Sequence, residues 1–554
     1  MKRHGVAGAI AVIAALAATA CNANPKTGNA TASASTVKGG TLPVLTAQTN
    51  INLDPAKSQN LAITTLGLLL RRLTTWDIQP GKVAKVVPDL ATDTGVGSAD
   101  GKTWTYHLKD GVKFADGTTI NSTDVKYGVE RSFAPELSGG LGYHKSLLVG
   151  GAAYRGPYTG GDLASIETPD QRTIVFHLNK PYGDWPWIVS MPAFAPVPKA
   201  RDDPKTYGRN PVASGPYQVE EYQQGTLLKL KRNPNWDAGT DQVRTAGPDA
   251  VVFQLGQNTT VQGQRLIADA ADDKDAFGAG LVPSSQLVQV QQGAAKQRLA
   301  TSEAGPLEYL AINTRRGPLA DVKVRQAITY AVDKKAVQIA AGGPIGGDLA
   351  TTLITPGIAG RVSYDLYPAA ASGDVAKAKQ LLAAAGHASD LNLTVLVQDD
   401  QLNRGYAQAV QQGLQRAGIT VQIKSEDLDT WTADVTGDKG DYDLTISGWQ
   451  PDFPSANGNI EPLFASREIG GGGFNLSRYS QPAVDELIDQ ASGETDPAKA
   501  QALWAKADQR ILQDAPVVPL LYTKNSFLHG SHVQNFFVAS FPAYPNYLKV
   551  TLQR

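Results

Sequence analysis

The sequence predicts a mixed α/β fold, and three features carry that expectation. From Leu391 onward the apolar residues alternate, then recur at helical spacing, then alternate again, which is the pattern of a βαβ unit. The 55 glycines and 33 prolines supply more turns than a helical bundle needs. Hydrophobic residues make up 42% of the chain and charged residues 19%, enough for a large packed core and against global disorder.

The elements follow in order. Thr41–Leu45 reads as a first strand and Leu61–Leu73 as a helix. Trp104, Tyr106 and Leu108 alternate with polar residues between Asp100-Gly101 and Asp116-Gly117 turns, so this stretch reads as a strand. Ser122, Thr123 and Asp124 open a helix carrying Val125, Val129 and Phe133, and Thr173–Leu178 is a second alternating strand. In the βαβ unit the first strand carries Leu391, Leu393, Val395 and Val397. Its helix runs from about Asn403 to Ala417 with Tyr406, Val410 and Leu414 four apart, and Gly418 is placed to end it. Ile419, Val421 and Ile423 form the return strand, and Asp441–Trp449 supplies another. Helices are expected from Pro482 and Pro497, the latter capped by Asp496, before a strand at Val517–Tyr522. No fixed-period repeat is present.

Charge and cysteine usage exclude several function classes. The 51 basic and 52 acidic side chains give a net charge of −1, with no basic field for nucleic acid. The single cysteine, Cys21, leaves everything downstream without a disulfide, a thiolate metal site or a cysteine nucleophile. The seven histidines form no HExxH and no GxSxG is present, so the strongest metal and hydrolase signatures are absent. Chance carboxylate pairs leave a surface hydrolase as a remote alternative.

The N-terminus reads as an export and anchoring device. Lys2, Arg3 and His4 precede the apolar run Val6–Ala20, which is short for a membrane span. Ala18-Thr19-Ala20-Cys21 resembles a bacterial lipobox, with alanine three residues before the cysteine where leucine is usual. Residues 1–20 are expected to be a signal peptide and Cys21 the lipidated first residue of the mature chain. Residues 21–38, rich in Asn, Ala, Thr and Ser, are expected to be a flexible tether.

Several blocks then occur in a recognisable order: VPDLA at Val87–Ala91, WTYHLKDGVKFADGT at Trp104–Thr118, and DVKY at Asp124–Tyr127. PVASGPY at Pro211–Tyr217, LKRNPNW at Leu230–Trp236, YLAIN at Tyr309–Asn313, DVKVRQAI at Asp321–Ile328 and GWQPD at Gly448–Asp452 complete the series. In these blocks the chain resembles the family 5 extracellular solute-binding proteins of ABC importers, the group of dipeptide-, oligopeptide- and nickel-binding proteins. The resemblance implies an α/β fold of the type II periplasmic-binding-protein kind, with two large lobes, a smaller inserted domain and a hinge. Lobe I would hold residues 39–72, 182–312 and 516–554, the inserted domain 73–181, and lobe III 313–515. The chain would cross between lobes near Asn313 and Pro516. Ligand would be enclosed by hinge closure. The implied partners are an ABC permease and its ATPase, a small solute or peptide, and the membrane through the lipid anchor; the protein would be a monomer without a cofactor.

The same resemblance assigns the site. Asp452 matches the family aspartate that holds a peptide's amino terminus. Gly448 and Gln450 would offer backbone groups to an extended ligand, with Trp449 as a cleft wall. Ser58, Gln59 and Asn60 fall where the opposite cleft edge passes, and Asn475 and Tyr479, after the Gly470–Gly473 run, are expected to face the cleft. Some oligopeptide binders carry a carboxylate-binding arginine where this chain has Ile446, so a ligand carboxylate needs another partner. An oligosaccharide, an opine-like compound or a metal chelate is the alternative ligand, with Trp449, Trp431 and Trp185 as candidate sugar platforms. A bare nickel ion is disfavoured without cysteine or clustered histidines.

Overall fold

A computed structural model describes residues 39–388 and 391–553. The expected signal peptide, Cys21 and the 21–38 tether lie outside the described residues. No described helix is long and apolar enough to cross a membrane.

Three sheets organise the molecule. The first has five strands in the order Phe277–Gly278, Thr41–Leu45, Ala250–Gln254, Leu227–Arg232 and Tyr217–Gln223. Thr41–Leu45 runs parallel to both its neighbours and is buried after its first residue, which explains its nearly continuous apolar sequence. The second is a four-stranded antiparallel sheet, Val96–Gly97, Thr103–His107, Thr173–His177 and Ile166–Glu167. Trp104 and Tyr106 point from it into the core opposite Phe176 and Ile174, as their alternation predicts. The helix packed nearby, Ser122–Arg131, starts at a capping box between Asn121 and Asp124.

The third sheet has six strands, ordered Gly347–Leu349, Val517–Thr523, Leu307–Ile312, Leu444–Trp449, Asn392–Gln398 and Thr420–Glu426. The βαβ unit is present: Asn392–Gln398 and Thr420–Glu426 pair in parallel from Asn392↔Thr420 to Gln398↔Glu426. Their connecting helix, Gln401–Arg416, is capped by Asp400 and followed by Gly418 at φ 91°, a conformation that favours glycine. The helices Pro482–Gly493 and Pro497–Gln513 are also found, the second capped by the Asp496 carboxylate.

Two expectations need correction. Only Thr65–Leu69 of the Leu61–Leu73 run is helical; Leu70 is extended and Thr74–Asp77 forms a strand against Lys85–Pro88. The apolar run is continuous because every residue from Thr65 to Trp76 is buried, not because one helical face is apolar. The backbone N–H groups of Arg71 and Arg72 are taken by Ser214 Oγ and Asp89 Oδ2 instead of a helical ladder. The second correction concerns the strands Leu307–Ile312 and Val517–Thr523. Both belong to the six-stranded sheet and so fall outside the lobe expected to hold 182–312 and 516–554. The reason is burial: Leu310, Ile312, Val518 and Leu520 pack with Val324, Ile328, Tyr406 and Leu414 in a separate apolar core. The chain passes between sheets at 302–306 and 524–525. There Asn525 N and Ser302 Oγ lie at 2.9 Å, and Thr523 N donates to Pro306 O at 2.7 Å.

Candidate functional site

The site forms where the strand Leu444–Trp449 ends. Along this strand the ladder to Asn392–Gln398 stops at Leu396↔Thr445, while pairing with Leu307–Ile312 continues to Trp449. One backbone edge beyond Thr445 is therefore left without a strand neighbour. Gly448, exposed at this edge, carries no side chain to obstruct it, and a Cβ there would stand 3.0 Å from Glu308 Oε2. Trp449 is fixed by its Nε1 donating to Gly458 O at 2.7 Å and by packing on Phe474, ring centroids 5.2 Å apart.

Past the strand, Asp452 reaches a cavity of about 280 Å³ whose walls include Tyr143, Trp449, Phe474, Glu461 and Glu468. Tyr143 comes from the inserted segment, 309 residues away in sequence, and its hydroxyl donates to Asp452 Oδ2 at 2.6 Å. Burial pushes the Asp452 carboxyl above the usual aspartate range, and the Tyr143 hydrogen bond pulls it back. Glu461 is held by Arg467 at 2.6 Å. The Glu468 carboxyl is also raised, first by burial and then by its neighbour Glu461. Lys180 is the one basic residue lining this cavity, and it stands 4.0 Å from Glu461. With Glu461 shared between Arg467 and Lys180, Asp452 and Glu468 leave the cavity electrostatically suited to a cation.

A second cavity, about 550 Å³, includes Gln450, two residues before Asp452. It brings together Ser58, Gln59, Asn60 and Gln450, along with Lys57 and Tyr547. Ser58 is buried, and its Oγ accepts from Asn60 N and Asn60 Nδ2 at 3.1 and 2.9 Å. Gln59 Nε2 donates to Gly139 O at 3.0 Å, four residues before Tyr143 of the first cavity. Gln450 in one cavity and Asp452 in the other are two residues apart, no more than about 7 Å between their Cα atoms.

The residues expected at the site thus divide. Ser58, Gln59, Asn60 and Gln450 meet in one cavity, and Trp449 and Asp452 in the other. Asn475 and Tyr479 are not brought to either. Asn475 is buried, donating to Ala465 O and Tyr479 O at 3.0 and 2.9 Å, and the Tyr479 hydroxyl donates to Asp514 Oδ2 at 2.6 Å. They brace the loop after the glycines, and it is Phe474 of that loop which lines the cavity. Trp185 is fully buried and Trp431 donates to Thr445 Oγ1, so neither is a platform in these cavities. Ile446 is buried in the second core. Tyr143, Lys57, Glu461 and Glu468 were missed. Lys57 alone left a signal, as a charge beside the polar run 58–60; the others become neighbours only through tertiary folding. No group of metal-ligating side chains occurs among the described residues.

Known proteins share this architecture. A solved structure titled clavulanic acid biosynthesis oligopeptide binding protein 2 superimposes with a TM-score of 0.84 at 34% identity, covering 94% of this chain and 96% of that one. The ABC transporter-associated periplasmic binding protein DppA from Helicobacter pylori, solved in complex with the peptide STSA, superimposes with a TM-score of 0.68 at 21% identity, covering 94% and 99%. The glutathione-binding protein GsiB of Shigella dysenteriae serotype 1 (strain Sd197) is 28% identical over 454 residues, 80% of this chain and 81% of that protein. Residues 85–471 match the model of the bacterial extracellular solute-binding proteins, family 5. With the fold of these neighbours and a match over more than half its length, the chain belongs to the family 5 bacterial extracellular solute-binding proteins.

Proposed function

We propose that this protein captures short peptides with a free amino terminus and delivers them to an ABC permease. The observation that carries the reading is Asp452, half-buried beside an unpaired strand edge and held by Tyr143 in a cavity rich in carboxylates. An α-ammonium at Asp452 would neutralise a buried charge, and the free edge at Gly448 and Gln450 would pair with the peptide main chain. Relatives named for glutathione and for oligopeptides bind compounds with the same two features, an amino group and peptide bonds.

The functional division we favour takes residues 39–72, 182–306 and 524–554 as one lobe, 73–181 as the inserted domain and 307–523 as the second lobe. The short connections at 302–306 and 524–525 would act as the hinge, closing Ser58–Asn60 onto Gly448–Asp452. The reading is tested by mass spectrometry of the solute released on denaturing the protein as isolated from its host. A peptide with a free amine supports it; a sugar or a metal chelate overturns it.

The pairing has a pH signature. The ammonium needs an ionised Asp452, whose pKa lies above the ordinary 3.8. Affinity should therefore be full above that raised value and fall as pH drops through it. Tyr143→Phe removes the hydrogen bond that lowers the pKa, so its affinity should fall at a higher pH than in the native protein. Calorimetric titrations between pH 4 and 8 read the two midpoints; coincident curves would reject the assignment.

Export and anchoring complete the proposal. Residues 1–20 would be removed, Cys21 acylated, and 22–38 left as a tether holding the clamp near its permease. Cys21→Ser should lose incorporation of labelled fatty acid and release the protein from membranes; retained label would contradict it.

A further inference from the structure

The first cavity explains how an amino terminus is held and leaves the other end of a zwitterionic ligand without a partner. The position of Ile446 is apolar and buried. The arginines near the first lobe are committed elsewhere. Arg131 is bound to Asp54 and Asp202, and Arg71 and Arg244 share Asp89 and Asp241. Lys180 faces the acidic cavity beside Glu461.

One cation remains. Among the residues lining the second cavity, Lys57 is the sole charged side chain; the rest are hydroxyls, amides, aromatic rings and small residues. Its ammonium has no hydrogen-bond or ion-pair partner among the described residues, and its nearest sequence acid, Asp54, is occupied by Arg131 at 2.6 Å. The backbone beneath it is rigid. Lys57 N donates to Asp54 O at 3.1 Å, Lys57 O accepts from Asn52 Nδ2 at 3.0 Å, and the next residue, Ser58, is buried. The two cavities thereby differ in charge, with Asp452, Glu461 and Glu468 lining one and the Lys57 ammonium lining the other, which includes Gln450.

We propose that Lys57 receives the carboxylate of the ligand, so that a short peptide binds with its amino end at Asp452 and its carboxylate turned toward the Ser58–Asn60 edge. Lys57 would then be the residue that selects free acids over neutral carboxy-terminal amides. The inference rests on the ammonium-binding role of Asp452, and its test separates the two.

The probes are random tripeptide libraries prepared as free acids, as carboxy-terminal amides and as N-acetylated free acids, and the readout is retention by the full-length protein. The native protein should retain free acids about fivefold over amides, as a partly exposed ion pair allows. Lys57→Met should lose that preference and Lys57→Arg should keep it. Both variants should discriminate against the N-acetylated library as the native protein does. Equal retention of acids and amides by the native protein, or an undiminished preference in Lys57→Met, overturns the assignment to Lys57. Undiminished retention of the N-acetylated library overturns the Asp452 reading instead. Should Lys57→Met melt early, Lys57→Gln serves, since both remove the charge.

Discussion

Replacing Asp452 by alanine is expected to weaken peptide binding by about 2–4 kcal/mol, roughly 30- to 700-fold, the range for removing one member of a buried, hydrogen-bonded charge pair. The loss should be specific. Among the described residues the carboxylate has a single donor, Tyr143, and its pKa is raised by burial, so the empty protein loses little stability without it. Its removal deprives only a ligand ammonium of its counter-charge and leaves that cation desolvated beside Trp449 and Phe474. Acetylating the peptide amine should cost the native protein a comparable factor and cost Asp452→Ala almost nothing. Calorimetry on the four combinations closes the cycle. An unchanged affinity in Asp452→Ala would remove the ammonium from this position.

The second large effect is on stability. Asp89 is fully buried and accepts from Arg71 Nε at 2.7 Å, Arg244 Nη2 at 2.9 Å and the backbone N–H of Arg72 at 3.1 Å. Asp241 is the other carboxylate of the cluster, held down to about 2 mainly by Arg244 and Arg71 against the cost of its burial. Asp89→Ala would leave three buried guanidinium groups facing one carboxylate, a loss of about 3–5 kcal/mol. Urea denaturation should show the midpoint fall with the slope unchanged. Arg72 offers the contrast. It is fully buried, its guanidinium nitrogens have no hydrogen-bond partner, and burial with repulsion from Arg244 pushes its pKa down to about 9. Arg72→Met should hold or raise the midpoint, because it removes a buried charge without hydrogen bonds that Asp89 only partly offsets. A tolerated Asp89→Ala would show that the cluster does not hold these segments together.

The elements legible in the sequence are those whose burial is one-sided. Gln401–Arg416 buries Tyr406, Val410 and Leu414 and exposes the rest, so its period is visible; Thr103–His107 buries alternate residues for the same reason. Segments buried all round lose this signature. That is why Leu61–Leu73 reads as one helix when it is a short helix, an extended turn and the approach to a strand. The lobe boundary we propose differs from the expected one for a related reason: Leu307–Ile312 presents Leu307 and Tyr309 to one core and Leu310 and Ile312 to the other, so composition does not assign it to either. At the candidate site, Asp452 could be proposed from its place in the GWQPD block and residues 58–60 from the resemblance. Tyr143 was not, because nothing within a strand or helix relates it to a residue 309 positions away. Asn475 and Tyr479 misled because glycine-rich surroundings suggest an exposed loop, whereas their side chains turn inward to brace it.

The most direct measurement is retention of two random tripeptide libraries by the native protein, identical except that one is N-acetylated. Capture through Asp452 requires retention from the free-amine library and loss of that retention on acetylation. Equal retention from both libraries would contradict the central claim, because no ammonium would then be needed in the cavity beside Trp449.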